Sequence, residues 1–280
     1  MRDVIAVILI LMSLTVVAHP SVSIVMDSKG NVYYSDLKQV WKIASGKKSI
    51  VVPGVHSHEL FLDEADNLFG EHLWFNGEKA NTWSHYVWKL SPNGKIEKVF
   101  PETVGFPKEY SFIRDKIGNM FLADRDNKCQ KVIRIGKNGA KTKLGDACME
   151  NIRWMACTPD GVVYLVDLHD LKEIDLQGHV TNIAESLPDK KMFQFVDPTH
   201  YLSGISLDKE LNIYVADYSG RQVKKISKSK QVTVIAETKL PWSPTGSLVA
   251  PNGDFWLLEN SMTNDVRVEQ IRRDGRRIVY

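Results

Sequence analysis

The sequence predicts an all-β fold, a six-bladed β-propeller with four antiparallel strands in each blade, and three observations carry that prediction. First, one strand–turn–strand pattern recurs six times along the 280 residues. Second, successive copies lie 36, 52, 43, 50 and 42 residues apart, near the ~45-residue period of a four-stranded blade. Third, a weaker hairpin follows every copy. The residues that enter the six turns are Asp27, Asp63, Asp115, Thr158, Asp208 and Ala250.

The first hairpin of each repeat supplies two inner strands. SIVMDSKGNVYYSD from Ser23 and GISLDKELNIYVAD from Gly204 show its form, an apolar strand, a polar turn and a second apolar strand that closes on an acid. The second hairpin, such as VWKLSPNGKIEKVF from Val87, alternates apolar and charged residues about a turn, which is typical of outer strands with one solvated face. Each blade therefore has strands A, B, C and D in chain order. The ring is expected to close between blades one and six without a borrowed strand.

The N-terminus has the features of a secretory signal. An apolar stretch from Val4 to Val17 follows Arg2 and is shorter than the ~20 residues that span a bilayer. Cleavage is expected after Ala18, and an uncleaved anchor is the alternative. The prediction is a signal peptide over 1–18, one propeller domain over 19–280, a secreted or periplasmic location and no membrane span after cleavage.

An oxidising compartment permits one disulfide among the three cysteines. Cys129 and Cys148 are the expected pair, and Cys157 is expected to be a buried thiol within an apolar strand. The 36 basic and 34 acidic side chains balance, so no nucleic-acid partner is expected, and the chain is expected to be monomeric. An arginine run near the C-terminus is interpreted as a solvated strand face; it comprises Arg272, Arg273, Arg276 and Arg277.

The segment GISLDKELNIYVADYSGRQVKKI from Gly204 resembles an NHL repeat, whose consensus joins an apolar strand, a Gly-Asn type turn, an Asp and a following Arg-apolar strand. The resemblance covers residues 21–280. It extends to the gluconolactonase and senescence-marker-protein family, which shares a six-bladed ring. The resemblance implies the architecture, whereas propellers serve as hydrolases, lyases and binding scaffolds alike.

In the gluconolactonase family a divalent ion, usually calcium, is held by Glu, Asn and Asp side chains where several A strands begin. The corresponding positions here carry neither an acid nor an amide, so the family's metal residues are not carried over and a calcium-dependent lactonase is not implied. These positions are Val22, His58, Tyr110, Arg153, Ser203 and Thr245.

The alternating strand directions divide the loops between two faces of the ring. The start of strand A, the B–C loop and the D–A loop lie on what we call the first face, and the A–B and C–D turns lie on the second face. Seven of the eight histidines fall on the first face, and only His179 falls on the second. Long aromatic loops over a rigid ring are typical of binding sites. A small molecule, or a protein or peptide, is therefore expected to bind at the channel mouth on the first face.

Blade two has the longest predicted B–C connection, from about His72 to His85. Aromatic rings on such a loop can stack on a sugar or another planar ligand, while the alternative is that Trp74 and Trp83 only anchor the loop. The predicted ligand-binding residues are Trp74, Trp83, His85 and Trp242.

The residues that close strand B are acids in five blades and a histidine in blade two. The acids are expected to accept backbone hydrogen bonds; they are Asp36, Asp124, Asp167, Asp217 and Glu259. The predicted register places His58 opposite His72, with His56 two residues earlier on the same strand face. These three imidazoles are predicted to bind zinc or another transition metal, with Glu59 or Glu71 as a neighbouring base. The alternative is that they line a wet tunnel.

Three functional hypotheses remain open at this point. The first is an extracytoplasmic propeller that binds a small ligand or protein partner on its His- and Trp-rich face. The second is a metal-dependent hydrolase or lyase centred on the blade-two histidines, with Tyr110 as acid or base, Arg153 as anion clamp and Glu59 as base. His58, Tyr110 and Arg153 are similar in type to the zinc-binding His, the Tyr and the Arg of NHL-type peptide-amidating lyases. For Arg153 the alternative is an ion pair with Asp167, predicted to lie opposite it. The third hypothesis is a purely structural scaffold.

Overall fold

The computed structural model describes residues 20–125, 128–189 and 196–280, and these residues form a ring of six antiparallel sheets. The predicted signal peptide and its cleavage site lie outside the described residues. A search of the described part of the chain finds no helix with the length and apolar character needed to cross a bilayer.

Each sheet is one blade, and its strands follow one another in chain order from the inside of the ring outward. Blade one contains β1 (Ile24–Met26), β2 (Val32–Ser35), β3 (Gln39–Ala44) and β4 (Lys47–Pro53). Blade two contains β5 (Leu60–Leu62), β6 (Leu68–Phe75), β7 (Trp83–Leu90) and β8 (Ile96–Val104). Blade three contains β9 (Met120–Asp124), β10 (Gln130–Ile135) and β11 (Lys141–Met149).

The second half of the ring repeats this plan. Blade four contains β12 (Ile152–Cys157), β13 (Val163–Asp167), β14 (Asp170–Ile174) and β15 (Val180–Ala184). Blade five contains β16 (Leu202–Leu207), β17 (Ile213–Asp217), β18 (Gln222–Ile226) and β19 (Val232–Glu237), and a short 3-10 helix, Pro198–His200, precedes it. Blade six contains β20 (Trp242–Val249), β21 (Phe255–Ser261), β22 (Val266–Ile271) and β23 (Arg277–Val279).

The predicted six-bladed propeller is confirmed, and blade three is its least regular member. Its innermost strand is reduced to a single bridge between Arg114 and Met120, supported by a hydrogen bond from the Phe121 N–H to the Ile113 carbonyl. The other five blades have the four strands that the repeat predicts.

The repeated Asp of the A–B turns has a structural role on the second face. One carboxylate oxygen of Asp27 accepts the backbone N–H of Asn31 at 2.8 Å, and the other accepts the Asn31 side-chain amide at 2.7 Å. Such side-chain acceptors replace backbone partners in a tight turn. The same pair of bonds occurs at Asp63–Asn67, Asp115–Asn119 and Asp208–Asn212.

Apolar side chains pack between neighbouring blades and close the ring. Ile24 and Tyr34 of blade one pack with Trp256 and Leu258 of blade six, so the ring closes without a strand from the opposite terminus, as predicted. Buried apolar clusters also fill the seams between blades one and two, three and four, four and five, and five and six. Such packing is the main favourable term in the fold.

The cysteines behave as the sequence predicts. Cys129 and Cys148 form a disulfide that joins the ends of β10 and β11 in blade three. Cys157 is a free thiol in β12, and burial raises its pKa to about 12. A thiol with so high a pKa is a poor nucleophile, which agrees with the expected non-catalytic role.

Candidate ligand-binding site

A β-bulge interrupts the innermost strand of blades four, five and six near the first face. The register shifts by one residue between Ile152 and Met155, between Leu202 and Ile205, and between Pro244 and Gly246. A bulge adds an unpaired residue and turns its side chain away from the ordinary strand face. The residues opposite the strand-closing acids are therefore Ile152, Leu202 and Pro244.

This bulge overturns the predicted pairing of Arg153 with Asp167. The carboxylate of Asp167 instead accepts the backbone N–H groups of Glu150 and Asn151 at 2.9 and 2.7 Å and pairs with Lys172 at 2.6 Å. The backbone role that the sequence predicts for this acid is confirmed. Arg153 does not pair with Asp167, because it lies in the bulge and Ile152 takes the position opposite that acid.

Small residues occupy the bulges of blades five and six and bring backbones together across the ring. A Cβ on Gly204 would lie 2.5 Å from the Thr245 carbonyl oxygen and 2.9 Å from that of Val22. A Cβ on Gly246 would overlap the Val22 carbonyl oxygen even more severely. Blades one and five are not neighbours in the ring, so the approach of Gly204 to Val22 narrows the centre. The ring is closed on the side of blades one, five and six.

Titratable side chains lie on the opposite side of the centre. Blade two places His58 and Glu59 just before β5, and blade four places Arg153 in its bulge. Arg125, which follows β9 in blade three, donates from Nε to the Ile152 carbonyl at 2.9 Å and from Nη2 to the Arg153 carbonyl at 3.1 Å. We call His58, Glu59, Arg125 and Arg153 the axial cluster.

Burial governs the electrostatics of the axial cluster. The pKa of Glu59 is raised to about 7, chiefly by desolvation and also by the charge of Glu71, while Arg125 and His58 oppose the shift. Desolvation also lowers the pKa of both guanidinium groups, and the charge of Arg125 adds to the lowering at Arg153. Perturbed groups gathered at one place are typical of functional sites.

Glu71 holds the start of the blade-two inner strand in place. Its Oε1 accepts the backbone N–H groups of His58 and Glu59 at 2.5 and 3.3 Å and lies 3.5 Å from the His58 Nδ1. Its Oε2 is buried and has no hydrogen-bond partner among the described residues. The His58 Nε2 lies 3.3 Å from the His56 Nε2. The carboxylate of Glu71 and the imidazoles of His58 and His56 thus form a continuous chain of contacts.

His72 has the same hydrogen-bonding role in blade two as Asp167 has in blade four. Its Nδ1 accepts the backbone N–H of His56 at 2.9 Å, the bond that Asp167 provides to Asn151 in blade four. Desolvation lowers the pKa of His72, and Lys98 lowers it further, so the ring stays neutral and can accept.

This bond separates His72 from the other two histidines of the predicted metal site. Its ring stacks on Trp74 with centroids 5.3 Å apart, whereas His56 and His58 contact each other. Within the ranges that the structure covers, no three His, Cys, Asp or Glu side chains are grouped so as to hold a metal ion. A metal on His56, His58 and His72 stays a sequence prediction that this geometry does not support.

Replacing His72 by leucine is expected to lower the free energy of unfolding by about 1–2 kcal/mol, because the His56 N–H loses its acceptor. His72→Asn keeps an acceptor and is expected to retain most of the stability. Urea unfolding at pH 7.5 measures both. Equal losses for the two variants would contradict an acceptor role.

The aromatic residues of blade two lie on strands and not on a long loop. Strands β6 and β7 continue through the pairs His72–Tyr86, Leu73–His85, Trp74–Ser84 and Phe75–Trp83, so the connection is only 76–82. The expected loop from His72 to His85 is wrong, because cross-strand partners extend the hairpin.

Trp74 and Trp83 consequently lie on opposite faces of this hairpin, since side chains alternate along a strand. Trp74 contacts His72 and Tyr86. Trp83 joins Phe75 and Phe106, with ring centroids 5.5 and 5.9 Å away, in a cluster that is partly exposed. The two tryptophans therefore do not form one shared surface on which a ligand could stack.

Three other predicted site residues are held in packing contacts. His85 is 2% exposed, bonds through Nδ1 to the Gly105 carbonyl and stacks on Phe100, so it is enclosed and not presented to a ligand. Tyr110 lies in the seam between blades two and three, where the Arg114 guanidinium stands 4.5 Å from its ring centre. Trp242 lies under the guanidinium of Arg267 at 4.2 Å.

Arg125 is the member of the axial cluster that the sequence analysis missed. A sign of it was present, since it is the only charged residue directly after a strand-closing position. The corresponding residues in the other blades are Leu37, Leu73, Leu168, Tyr218 and Asn260.

A surface concavity on the second face is the other candidate site. It lies between the turns of blades five and six and includes Lys209, Asn252 and Arg273. Its charges are mixed, because Asp208 and Glu210 also line it, and Lys209 lies 3.5 Å from Glu210. The axial cluster is the stronger candidate, because the pKa values of its Glu59, Arg125 and Arg153 are all perturbed and Arg125 is fixed by two carbonyl groups, while Arg125 keeps an exposed surface.

Known proteins share the fold at low sequence identity. No family model and no curated protein sequence matches this chain. A streptogramin B lyase structure superposes with a TM-score of 0.57 at 11% identity, over 95% of this chain and 84% of that one. An auxiliary nutrient binding protein from Bacteroides thetaiotaomicron gives a TM-score of 0.57 at 14% identity, over 89% and 68%.

A third solved structure, the calcium-binding protein regucalcin from Agrobacterium tumefaciens, gives a TM-score of 0.51 at 15% identity, over 86% of this chain and 82% of that one. Likeness at such identities concerns the fold, since one fold hosts many functions. The chain is therefore similar in its six-bladed fold to a lyase, a nutrient-binding protein and a calcium-binding protein.

Proposed function

We propose that the protein is an extracytoplasmic propeller that binds a small molecule at the first-face end of its axis, on the axial cluster. One observation carries the proposal. At or beside the bulges of blades five and six, Gly204 and Gly246 are in backbone contact with neighbouring strands, whereas the bulge of blade four carries Arg153. A ring whose centre is closed on one side and charged on the other offers an asymmetric, partly desolvated opening, which is typical of a ligand site.

The location outside the cytoplasm is supported by two features. The N-terminal apolar stretch has the form of a secretory signal, and the Cys129–Cys148 disulfide is a bond that persists in oxidising compartments. Both features also agree with a protein that meets its ligand in the external medium.

A thermal-shift screen with anionic, neutral and cationic small molecules tests the proposal. Compounds that raise the unfolding temperature of the wild type are expected to bind about tenfold more weakly to His58→Gln, because this variant changes the axial cluster. Ile117→Ser is the matched control, since Ile117 is 64% exposed in the A–B turn of blade three on the second face. Ligands that bind His58→Gln normally but lose affinity for Ile117→Ser would place the site on the wrong face.

A hydrolase or lyase that uses the same cluster is the second candidate. The observation that favours it is the contact of the Glu71 carboxylate with His58, which also contacts His56, next to Glu59 with its raised pKa, since carboxylate–imidazole pairs are common acid–base groups. Turnover of aryl esters or lactones that disappears in Glu59→Gln, while ligand binding persists, would support it. Absence of turnover with any such substrate leaves the binding function as the better account.

A further inference from the structure

We propose that the ligand of the axial cluster carries an anionic group, a carboxylate, sulfate or phosphate, that binds between Arg125 and Arg153. The inference rests on the proposed function and specifies the chemistry of the same site. Three observations support it: the way the two guanidinium groups are held, the absence of a carboxylate paired with either positive charge among the described residues, and the shape of the opening.

Both arginines are anchored at the beginning of β12, Arg125 through its side chain and Arg153 through its backbone. Arg125 reaches from blade three to blade four and bonds to the carbonyl groups of Ile152 and Arg153. Arg153 itself lies in the bulge at the beginning of β12. Because a guanidinium presents its N–H donors as a planar fork, these bonds set the orientation of Arg125 and leave further donors for a ligand.

Among the described residues, neither guanidinium has an acidic partner in a direct ion pair. Glu59 attracts Arg125 and Asp197 attracts Arg153 only through longer-range electrostatics, and within the described ranges no carboxylate forms an ion pair with either arginine. The two positive charges also oppose each other. Partly desolvated like charges cost free energy until a counter-charge arrives, and bidentate binding of an anion is the strongest way to compensate them.

The shape of the opening directs a ligand to these arginines. Gly204, Gly246 and Val22 fill the other side of the centre with backbone, so a ligand that enters from the first face meets blades two to four. Glu59 stands on that side as the one acidic member of the axial cluster, and its negative charge opposes an anion. The two arginines therefore attract an anion and Glu59 repels it. Removing an arginine charge should weaken anion binding, and removing the Glu59 charge should strengthen it.

Titration calorimetry at pH 8 with benzoate, inorganic sulfate and neutral benzyl alcohol tests the inference. Benzoate and sulfate are expected to bind the wild-type protein, and benzyl alcohol at least tenfold more weakly. Arg153→Gln and Arg125→Gln are each expected to weaken benzoate binding tenfold or more, and Arg153→Lys less, because it keeps the charge. Glu59→Gln is expected to strengthen benzoate binding about three- to tenfold.

Arg273→Gln is the matched control, because Arg273 is an exposed arginine on the second face, and it should leave the affinity unchanged. Circular dichroism verifies that each variant folds. Should Arg125→Gln fail to fold for want of its carbonyl bonds, Arg153→Gln and Glu59→Gln still decide the outcome.

The opposite results overturn the inference. Binding of benzyl alcohol as tight as that of benzoate, weaker benzoate binding in Glu59→Gln, or equal losses in Arg153→Gln and Arg273→Gln would each contradict an anion site here. If neutral ligands bind in a His58-dependent manner and anions do not, the inference fails while the proposed function stands. If no compound of any charge binds on the first face, both fail.

Discussion

Replacing Gly246 by alanine is expected to lower the free energy of unfolding by about 3 kcal/mol, at the upper end of what overpacking costs. A Cβ at this position would overlap the Val22 carbonyl oxygen and lie 3.7 Å from the Cβ of Leu258. The overlapping atom belongs to the backbone of blade one, so no side-chain rotation relieves it. The substitution would push blade one away from blade six at the point where the ring closes.

Chemical unfolding of Gly246→Ala and Gly275→Ala measures this effect. Gly275 has a φ of 85° and open space where a Cβ would be, so its replacement reports only the conformational cost, about 1 kcal/mol. A loss at Gly246 no larger than that at Gly275 would show that blades one and six yield easily at the centre. A threefold larger loss would confirm that backbone contact closes this side of the ring.

The blade architecture could be predicted because residues close together in sequence determine the first hairpin of each repeat. The Asp–Asn pair of an A–B turn, such as Asp27 and Asn31, lies within five residues and recurs in four of the six blades, and six hairpins at a regular spacing leave few other folds. Acids that close strand B, such as Asp167, also bond close to where the sequence suggests. Local chemistry repeated six times is a strong predictor.

The register at the start of each blade could not be predicted in the same way. A bulge is decided by contacts between blades, and Gly204 and Gly246 reveal it only once the approach of Val22 is known. A one-residue slip then moves Arg153 from the strand face into the bulge. The predicted ion pair with Asp167 failed for this reason.

The site was predicted in part for the same physical reasons. His58, Glu59 and Arg153 stand at strand openings that the repeat aligns, and the structure places them at the centre. Arg125 was missed because its role depends on carbonyl groups in the next blade. His72 departed from the repeat and drew attention as a metal ligand, yet its ring nitrogen replaces a carboxylate oxygen as acceptor.

Replacing Glu59 by glutamine is expected to stabilise the protein at pH 8 by about 2–3 kcal/mol and to have little effect at pH 4. The pKa of Glu59 is raised from 4.5 to about 7 in the folded protein. The folded state therefore binds a proton that the unfolded chain has released, so the contribution of Glu59 to stability is full below pH 4.5 and is lost as the pH rises to 7. A shift of this size corresponds to about 3 kcal/mol.

Urea unfolding of the wild type and Glu59→Gln between pH 4 and pH 8 isolates this contribution, because the difference between the two proteins removes the other titrating groups. The expected difference grows from near zero to its full value across pH 4.5 to 7. A Glu59→Gln variant that is less stable than the wild type at pH 8 would mean that Arg125 compensates the carboxylate fully. A half-buried acid that destabilises the fold at neutral pH contributes nothing to stability there, and such groups are often retained because the function needs them. Stabilisation of Glu59→Gln together with altered ligand binding would therefore connect the axial cluster to function by two independent measurements.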